Sequence, residues 1–187
     1  HNYLPLSGGI MTGPIKQGNT VYNVISHSVT GSGIIDIKLP NINFMGDIYI
    51  DFYSYNTDIG GTLKCQVYTY YGSSTGFAGA NSVNWVGGSP LFTKVRYITI
   101  GTNNNAERHI FIGDTTTNWQ SWGQVSISKI VQAVGDLSIN IPTISLITTE
   151  PTILVTSLTA TDFYTYKANL ANTANSVANT LTFTGYS

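Results

Sequence analysis

The sequence predicts an all-β protein whose main part is an antiparallel, jelly-roll-like β-sandwich, and three observations predict it. Charged residues make up 9% of the 187 residues, whereas an ordinary soluble domain has about 25%, so Asn, Thr, Ser, Gly and Tyr supply most of the polarity. Short runs of alternating apolar and polar residues recur along the chain, which is typical of half-buried strands. Turn-forming residues separate these runs, and residues 21–157 show no helical period.

Two neighbouring runs give the clearest strands. The run 47–53 places three apolar side chains on one face and three polar or aromatic ones on the other: Ile48, Ile50 and Phe52 against Tyr49, Asp51 and Tyr53. The run 62–70 repeats the pattern with Leu63, Cys65 and Val67 against Lys64, Gln66, Tyr68 and Tyr70. Residues 56–61 between them contain Asn, Asp and two Gly, so we predict a β-hairpin.

Further strands are predicted along the rest of this block, at residues 21–25, 33–39, 82–86, 94–101, 107–113, 123–134, 143–148 and 153–157. Three consecutive asparagines at 103–105 predict a tight turn between two of them, because Asn tolerates left-handed backbone angles. The regular spacing of strands and turns favours an antiparallel sandwich.

The last 30 residues differ from the rest. Apolar and Thr residues recur there on a seven-residue spacing, at Phe163, Tyr166, Leu170, Thr173, Val177 and Thr180. This spacing is compatible with a short helix whose seam meets identical copies, but repeated Ala-Asn pairs also suit an irregular or extended linker. Both interpretations make the segment a connector.

Charge and hydropathy exclude two classes of partner. The 8 basic and 9 acidic residues give a net charge of -1, which leaves no basic stripe for phosphates, so we predict no nucleic-acid binding. The most apolar stretch, residues 131–158, is interrupted by Asp136, Pro142, Glu150 and Pro151. No run therefore reaches the ~20 residues of a spanning helix, and we predict no membrane insertion. No signal peptide is recognisable at the start.

Candidate catalytic and metal-binding groups are sparse, and we predict no enzyme activity, no metal and no cofactor. Cys65 is the only cysteine, which excludes an intrachain disulfide and a cysteine-framed zinc site. His27 and His109 stand apart from other ligand types. Asp47 and Asp51 lie ~13 Å apart along one strand, too far to flank one glycosidic bond.

The first fifteen residues carry the most specific motif. Residues 3–13 resemble the leucine-proline-leucine-serine-glycine-glycine, any residue, methionine-threonine-glycine element found in shafts and collars of tailed-bacteriophage fibres, with Ile10 where Thr is usual. The matching positions are Leu4, Pro5, Leu6, Gly8, Gly9, Met11 and Gly13. Residues 170–185 are similar to a second element of such fibres, and residues 46–130 are similar in outline to a β-sandwich head module.

The resemblance implies an intertwined homotrimer in which the matching positions of the first element form the shaft. It divides the chain into a shaft or collar element at 1–20, a head at 21–150 and a connector at 151–187 that leads to a further repeat. The implied location is the virion, on an extracellular tail fibre or surface appendage. The implied partners are two further copies of the chain and other virion fibre or tail proteins. Because the chain begins with His1 and ends at Ser187, we expect it to be part of a longer protein.

Aromatic residues near predicted loops are the candidate binding groups. Five residues form this set: Tyr70, Tyr71, Trp119, Gln120 and Trp122. Aromatic rings cover the apolar face of a pyranose while amides and hydroxyls bind its hydroxyl groups, so a host-surface glycan is the predicted ligand. The alternative is burial of the tryptophans in the core or a subunit interface, which is the interpretation for Trp85 and, among apolar residues, for Cys65.

Four functions follow in order. The first is a non-enzymatic fibre module that attaches the virion to the host through glycan. The second is a purely structural fibre or capsid-decoration segment that binds only other virion proteins. The third is a polysaccharide depolymerase, and the fourth is a bacterial adhesin or contractile-injection fibre that uses the same modules.

Overall fold

A computed structural model describes residues 13–55, 59–70, 77, 82–88, 90–101, 106–120, 123–151 and 158–160. Within these ranges the regular elements are eleven β-strands in two antiparallel sheets, with no helix. The prediction of an all-β, antiparallel fold is therefore confirmed. The described ranges also contain no helix of the length and apolar character needed to cross a membrane.

The first sheet has six strands. In spatial order they are β1 (Ile15–Gln17), β2 (Thr20–Val29), β9 (Gly123–Val134), β4 (Phe44–Ser54), β5 (Ile59–Thr69) and β6 (Val83–Gly87). Strands β4 and β5 pair from Phe44↔Thr69 to Ser54↔Ile59, which confirms the predicted hairpin. The long strands β2, β4, β5 and β9 form the centre of the sheet.

The second sheet has five strands. In spatial order they are β10 (Thr143–Ile147), β3 (Ile34–Leu39), β8 (Glu107–Ile112), β7 (Val95–Ile100) and β11 (Leu158–Ala160). Most strands match the predicted ones to within a few residues. The predicted strand 153–157 lies almost wholly outside the described residues, and so do the turn at 103–105 and residues 161–187.

The core lies between the two sheets. The alternating apolar residues of β4 and β5 point into it, and Ile48, Ile50, Leu63, Cys65 and Val67 are fully buried. They pack in one cluster with Ile35, Ile37, Val95, Ile110 and Ile112 of the second sheet. The faces predicted for β4 and β5 are thus confirmed. Burial also raises the pKa of the Cys65 thiol to about 12, because a thiolate loses its solvation there.

A second, smaller apolar cluster lies on the opposite face of the five-stranded sheet. It consists of the buried residues Ile34, Ile98 and Phe111, and the Arg96 guanidinium lies 5.6 Å from the Phe111 ring centre. Strand β8 therefore buries apolar side chains on both of its faces.

Two short strands bear on the predicted division of the chain. Strand β1 pairs with β2, so residues 15–20 belong to the first sheet and the predicted boundary at residue 20 coincides with the start of β2. Strand β11 pairs with β7, beyond the predicted end of the head at residue 150. Of the predicted shaft positions, only Gly13 lies within the described residues, and it is exposed.

Candidate functional site

A cavity of about 300 Å³, part of it open to solvent, lies at one end of the first sheet. It forms where β2 and β4 end and β9 begins, because Val29 and Ser54 both pair with Gly123. Aromatic side chains supply most of its wall: Phe52, Trp85, Phe92 and Trp119. We call it the aromatic cavity.

The four rings of the wall contact one another. Phe52 lies near the middle, with its ring centre 5.9 Å from that of Trp119 at an interplanar angle of 17°. It is also 5.2 Å from Phe92 and 5.8 Å from Trp85. Phe92 meets Trp85 edge to face at 87°. Offset and edge-to-face contacts of this kind fix ring positions, so the wall is preorganised.

Hydrogen bonds to the backbone hold both indoles in the wall. Trp119 Nε1 donates to the Gly33 carbonyl at 2.7 Å, and Trp85 Nε1 donates to the Gly88 carbonyl at 2.6 Å. Both indole N–H groups are therefore engaged, and the tryptophans present only carbon surface to the cavity.

Two paired loops position Trp119. Its backbone N–H donates to Gly31 O at 2.8 Å, and the Gly33 N–H donates to Thr117 O at 3.0 Å. The turn before it is closed by Asp114, whose Oδ1 accepts hydrogen bonds from the Thr116 N–H and hydroxyl at 2.9 and 2.6 Å. These bonds lower the pKa of Asp114 to about 2, because they favour the carboxylate form.

Ser54 is the polar group of the cavity whose hydrogen bonding is incomplete. It continues the inward-facing row of β4 after Ile48, Ile50 and Phe52, and it is 3% exposed. Its hydroxyl lines the cavity and has no hydrogen-bond partner among the described residues. A buried hydroxyl without a partner is costly, so it can recover free energy from a ligand that offers a polar atom.

The outward side of the first sheet carries a second feature. Four tyrosines lie there, Tyr22, Tyr49, Tyr53 and Tyr68, and we call this surface the tyrosine face. Tyr53 is 54% exposed, and Tyr22 and Tyr68 are 39% and 38% exposed. Most other exposed large apolar residues of the described chain also lie on this side of the sheet or at its edge: Met45, Tyr55, Tyr70, Val86 and Val134.

Lysines flank the central tyrosine of this face. The register of four strand pairs places Tyr22, Lys129, Tyr49, Lys64 and Asn84 in one row across the sheet. The Lys129 Nζ lies 3.9 Å from the centre of the Tyr49 ring and the Lys64 Nζ lies 5.8 Å from it. Lys64 is also 2.8 Å from Asp47, whose hydrogen bond raises the pKa of Lys64. Amines and carboxylates thus balance within the face.

The tyrosine face and the aromatic cavity meet at one pair of residues. Tyr53 and Gln124 pair across β4 and β9, point outward, and also line the cavity. Gln124 Nε2 donates to Ser28 Oγ at 2.7 Å, so an amide and hydroxyls lie beside the Tyr53 ring. A ligand on the face can therefore extend a substituent into the cavity.

The five residues predicted to contact glycan do not form one site in the described structure. Trp119 is 2% exposed and stands in the cavity wall, so it matches the alternative of core burial while still lining an open cavity. Gln120 is next to it, half-buried, with φ of 64°. Tyr70 follows the other end of β5, roughly 30 Å away by strand rise. Tyr71 and Trp122 lie outside the described residues.

Sequence reasoning missed Ser54, Phe92 and the role of Tyr53. A signal existed for Ser54, because the alternation of β4 extended by two residues places its hydroxyl on the apolar face. Phe92 lies in an irregular segment between β6 and β7, and no sequence pattern connects it to Trp119.

The carboxylates and histidines have structural contacts. Asp51 accepts a hydrogen bond from Thr62 Oγ1 at 2.6 Å, and buried His109 lies with Nδ1 2.7 Å from Asp36 Oδ1. Lys16 is the main cause of a lowered pKa at Asp136, with which it forms an ion pair. Among the residues that the structure describes, no three His, Cys, Asp or Glu side chains are grouped to hold a metal ion.

Comparison with known proteins finds no matching family model, no matching curated protein and no matching solved structure.

Proposed function

We propose that this chain is a non-enzymatic module of a virion fibre that attaches the particle to a host cell by binding surface glycan. The observation that carries the proposal is the tyrosine face, where three exposed tyrosines and one half-buried tyrosine lie among amide, hydroxyl and balanced charged groups. Exposed apolar surface of this kind, bordered by polar groups, marks interaction sites.

The chemistry of the face suits sugar more than protein or nucleic acid. Tyrosine rings present flat carbon surface to the apolar side of a pyranose, and the neighbouring Gln66, Asn84 and Gln124 offer amides to its hydroxyl groups. Tyr49 and Tyr53 are four residues apart on one face of β4, ~13 Å by strand rise. This distance favours an extended oligosaccharide over a single sugar ring.

The fibre part of the proposal rests on the N-terminal element at residues 3–13 and on the low charge of the chain. In this proposal the element joins three copies of the chain, and the connector at 151–187 leads to the next part of an extracellular fibre with other virion proteins. Three glycan sites on a fibre, and several fibres on a particle, raise the effective concentration of weak sites. Modest affinity at each tyrosine face would then suffice for attachment.

A purely structural fibre segment is the second candidate. The observation that favours it is the concentration of Met45, Tyr68 and Val134 in one row of register partners on the outward face of the first sheet. Such a row is also suited to packing against another virion protein.

Binding to intact bacteria separates these functions. Labelled full-length protein is incubated with candidate host strains, alongside Tyr53→Ala and Tyr68→Ala variants and an Ile139→Ala control. Ile139 is 78% exposed and lies in a turn away from the face. We expect strain-selective binding that falls roughly fivefold or more for each tyrosine variant and is unchanged for the control.

Three other results would change the assignment. Absence of binding to a strain known to be infected would favour the structural segment. Loss of binding in the Ile139→Ala control would place the contact elsewhere. Shortening of purified host polysaccharide on incubation with the protein would favour a depolymerase.

A further inference from the structure

We infer that the aromatic cavity binds the acetyl group of an acetylated sugar and thereby selects acetylated glycans. This inference rests on the proposed glycan binding and names the substituent that the site recognises. It is carried by the cavity's size, its uncharged lining, the unpartnered hydroxyl of Ser54, and its junction with the tyrosine face.

Size limits the ligand to a substituent. The cavity's 300 Å³ lies at the lower limit of small-molecule pockets, and part of that volume is open to solvent. A whole oligosaccharide does not fit, whereas a group that projects from a sugar lying on the tyrosine face does. Tyr53 and Gln124, which belong to both surfaces, are where such a group would enter.

The lining sets the chemistry of the substituent. The described lining residues include no charged side chain, so a carboxylate, phosphate or amine would lose its solvation there without compensation. Ring faces and the Val29 and Val125 side chains instead favour an apolar group such as a methyl. The substituent is therefore neutral and largely apolar.

Ser54 adds one polar requirement. Its hydroxyl is free to donate within the described structure, while both wall indoles already donate to backbone carbonyls. The ligand must therefore bring one acceptor oxygen close to its apolar group. An acetyl group has a methyl and a carbonyl oxygen on the same carbon, so one small substituent meets both requirements.

Three trisaccharides with the same backbone linkage test this. Triacetylchitotriose carries an acetamido group where cellotriose has a hydroxyl, and O-acetylated cellotriose carries the acetyl group through oxygen. Titration calorimetry with the full-length protein is expected to give binding of an acetylated probe at least about tenfold tighter than cellotriose. Tryptophan fluorescence should change with it, because Trp85 and Trp119 form the wall. Comparing the two acetylated probes identifies an N-linked or O-linked source.

Two variants of Ser54 connect the preference to the cavity. Ser54→Ala removes the donor and should reduce the preference for the acetylated probe about tenfold, while leaving the thermal midpoint unchanged or higher because no protein hydrogen bond is lost. Ser54→Val places two methyl groups in the cavity and should abolish the preference. Ser82→Ala, an exposed serine hydrogen-bonded to Gln66, is the matched control and should keep it.

The outcomes separate this inference from the proposed function. Equal affinity for all three probes, or an acetyl preference that survives both Ser54 variants, would overturn the acetyl site. A thermal midpoint several degrees lower in Ser54→Ala would do the same, because the hydroxyl would then already have a stabilising partner. Strain-selective binding that depends on Tyr53 but not on acetylation would leave the proposed function standing without the acetyl site. Acetyl-dependent binding of the trisaccharides without binding to any bacterium would have the opposite meaning.

Discussion

Gly60 and Gly61 are adjacent in β5 but face very different surroundings. A Cβ atom added at Gly61 would lie 2.4 Å from Trp85 Cζ2 and 2.8 Å from the Val86 carbonyl oxygen. A Cβ atom added at Gly60 would meet nothing nearer than the Phe52 carbonyl oxygen at 3.6 Å. The Trp85 indole therefore occupies the space that a side chain at residue 61 would need.

We expect Gly61→Ala to lower the free energy of unfolding by about 2 kcal/mol, because the added methyl must displace a packed indole. Gly60→Ala is the matched control and should change it by less than about 0.5 kcal/mol, since its methyl makes ordinary contacts. Urea denaturation followed by tryptophan fluorescence measures both. Equal effects of the two substitutions would contradict the position of Trp85.

Single residues of the candidate site were predictable only in part. The sequence identified Trp119 and Gln120 as notable, but the burial of Trp119 depends on Phe52 and Phe92, which are distant in the chain. Trp85 and Cys65 are buried as predicted, because each continues an apolar row of its own strand. Local alternation reports which face a side chain occupies, and it does not report which distant rings meet there.

At the scale of elements, the turn at 114–117 connects charge to the cavity wall. Asp114 accepts the hydrogen bonds that close the turn, and Thr117 at its end accepts a hydrogen bond from Gly33. Gly33 in turn accepts the Trp119 indole bond at 2.7 Å. Opening of this turn would therefore loosen the wall.

Acid should weaken this turn. The pKa of Asp114 is about 2 in the folded protein, below its ordinary 3.8, so its carboxylate stabilises the fold above about pH 4 and that stabilisation is lost as pH falls towards 2. We expect Asp114→Asn to show a smaller drop in thermal midpoint between pH 7 and pH 3 than the unaltered protein. Differential scanning calorimetry at the two pH values measures this, and identical drops would contradict the role of Asp114.

The strands were predicted better than their surroundings. Long strands such as β4, β5 and β9 contain several periods of alternation, and their faces follow directly from it. Strand β1 has three residues and was not predicted, because three residues contain too little pattern. The outward apolar cluster around Phe111 was also missed, since burial on both faces of β8 removes the alternation.

At the scale of the whole molecule, the topology decides which aromatic residues belong together. Tyr70 and Trp119 lie at opposite ends of the first sheet, because β5 runs away from the cavity. Tyr53 and Trp119 are both at the cavity end although 66 positions separate them in the sequence. Strand order sets this arrangement, and a single sequence does not contain it.

The proposed trimer is testable on the full-length chain. Sedimentation analysis should give a mass three times 20.2 kDa. A double variant, Leu4→Asp with Leu6→Asp, should shift it to the monomer because buried leucines in the shaft would become charged. Ser7→Asp adds charge to the same segment at a position that the shaft motif does not require to be apolar, and it should remain trimeric. A folded monomer before any substitution would contradict the proposal.

Burial of Cys65 has a consequence for kinetics. A thiol reagent reaches this sulfur only when the two sheets separate, because the side chain is fully buried between them. We expect labelling at pH 8 to be more than about 1000-fold slower than in denaturant, in line with the small open population of a stable domain. Mass spectrometry over time measures the rate, and rapid labelling of the folded protein would contradict the burial. The single cysteine thus makes the opening rate of the sandwich measurable in the unmodified chain, before and after a glycan binds.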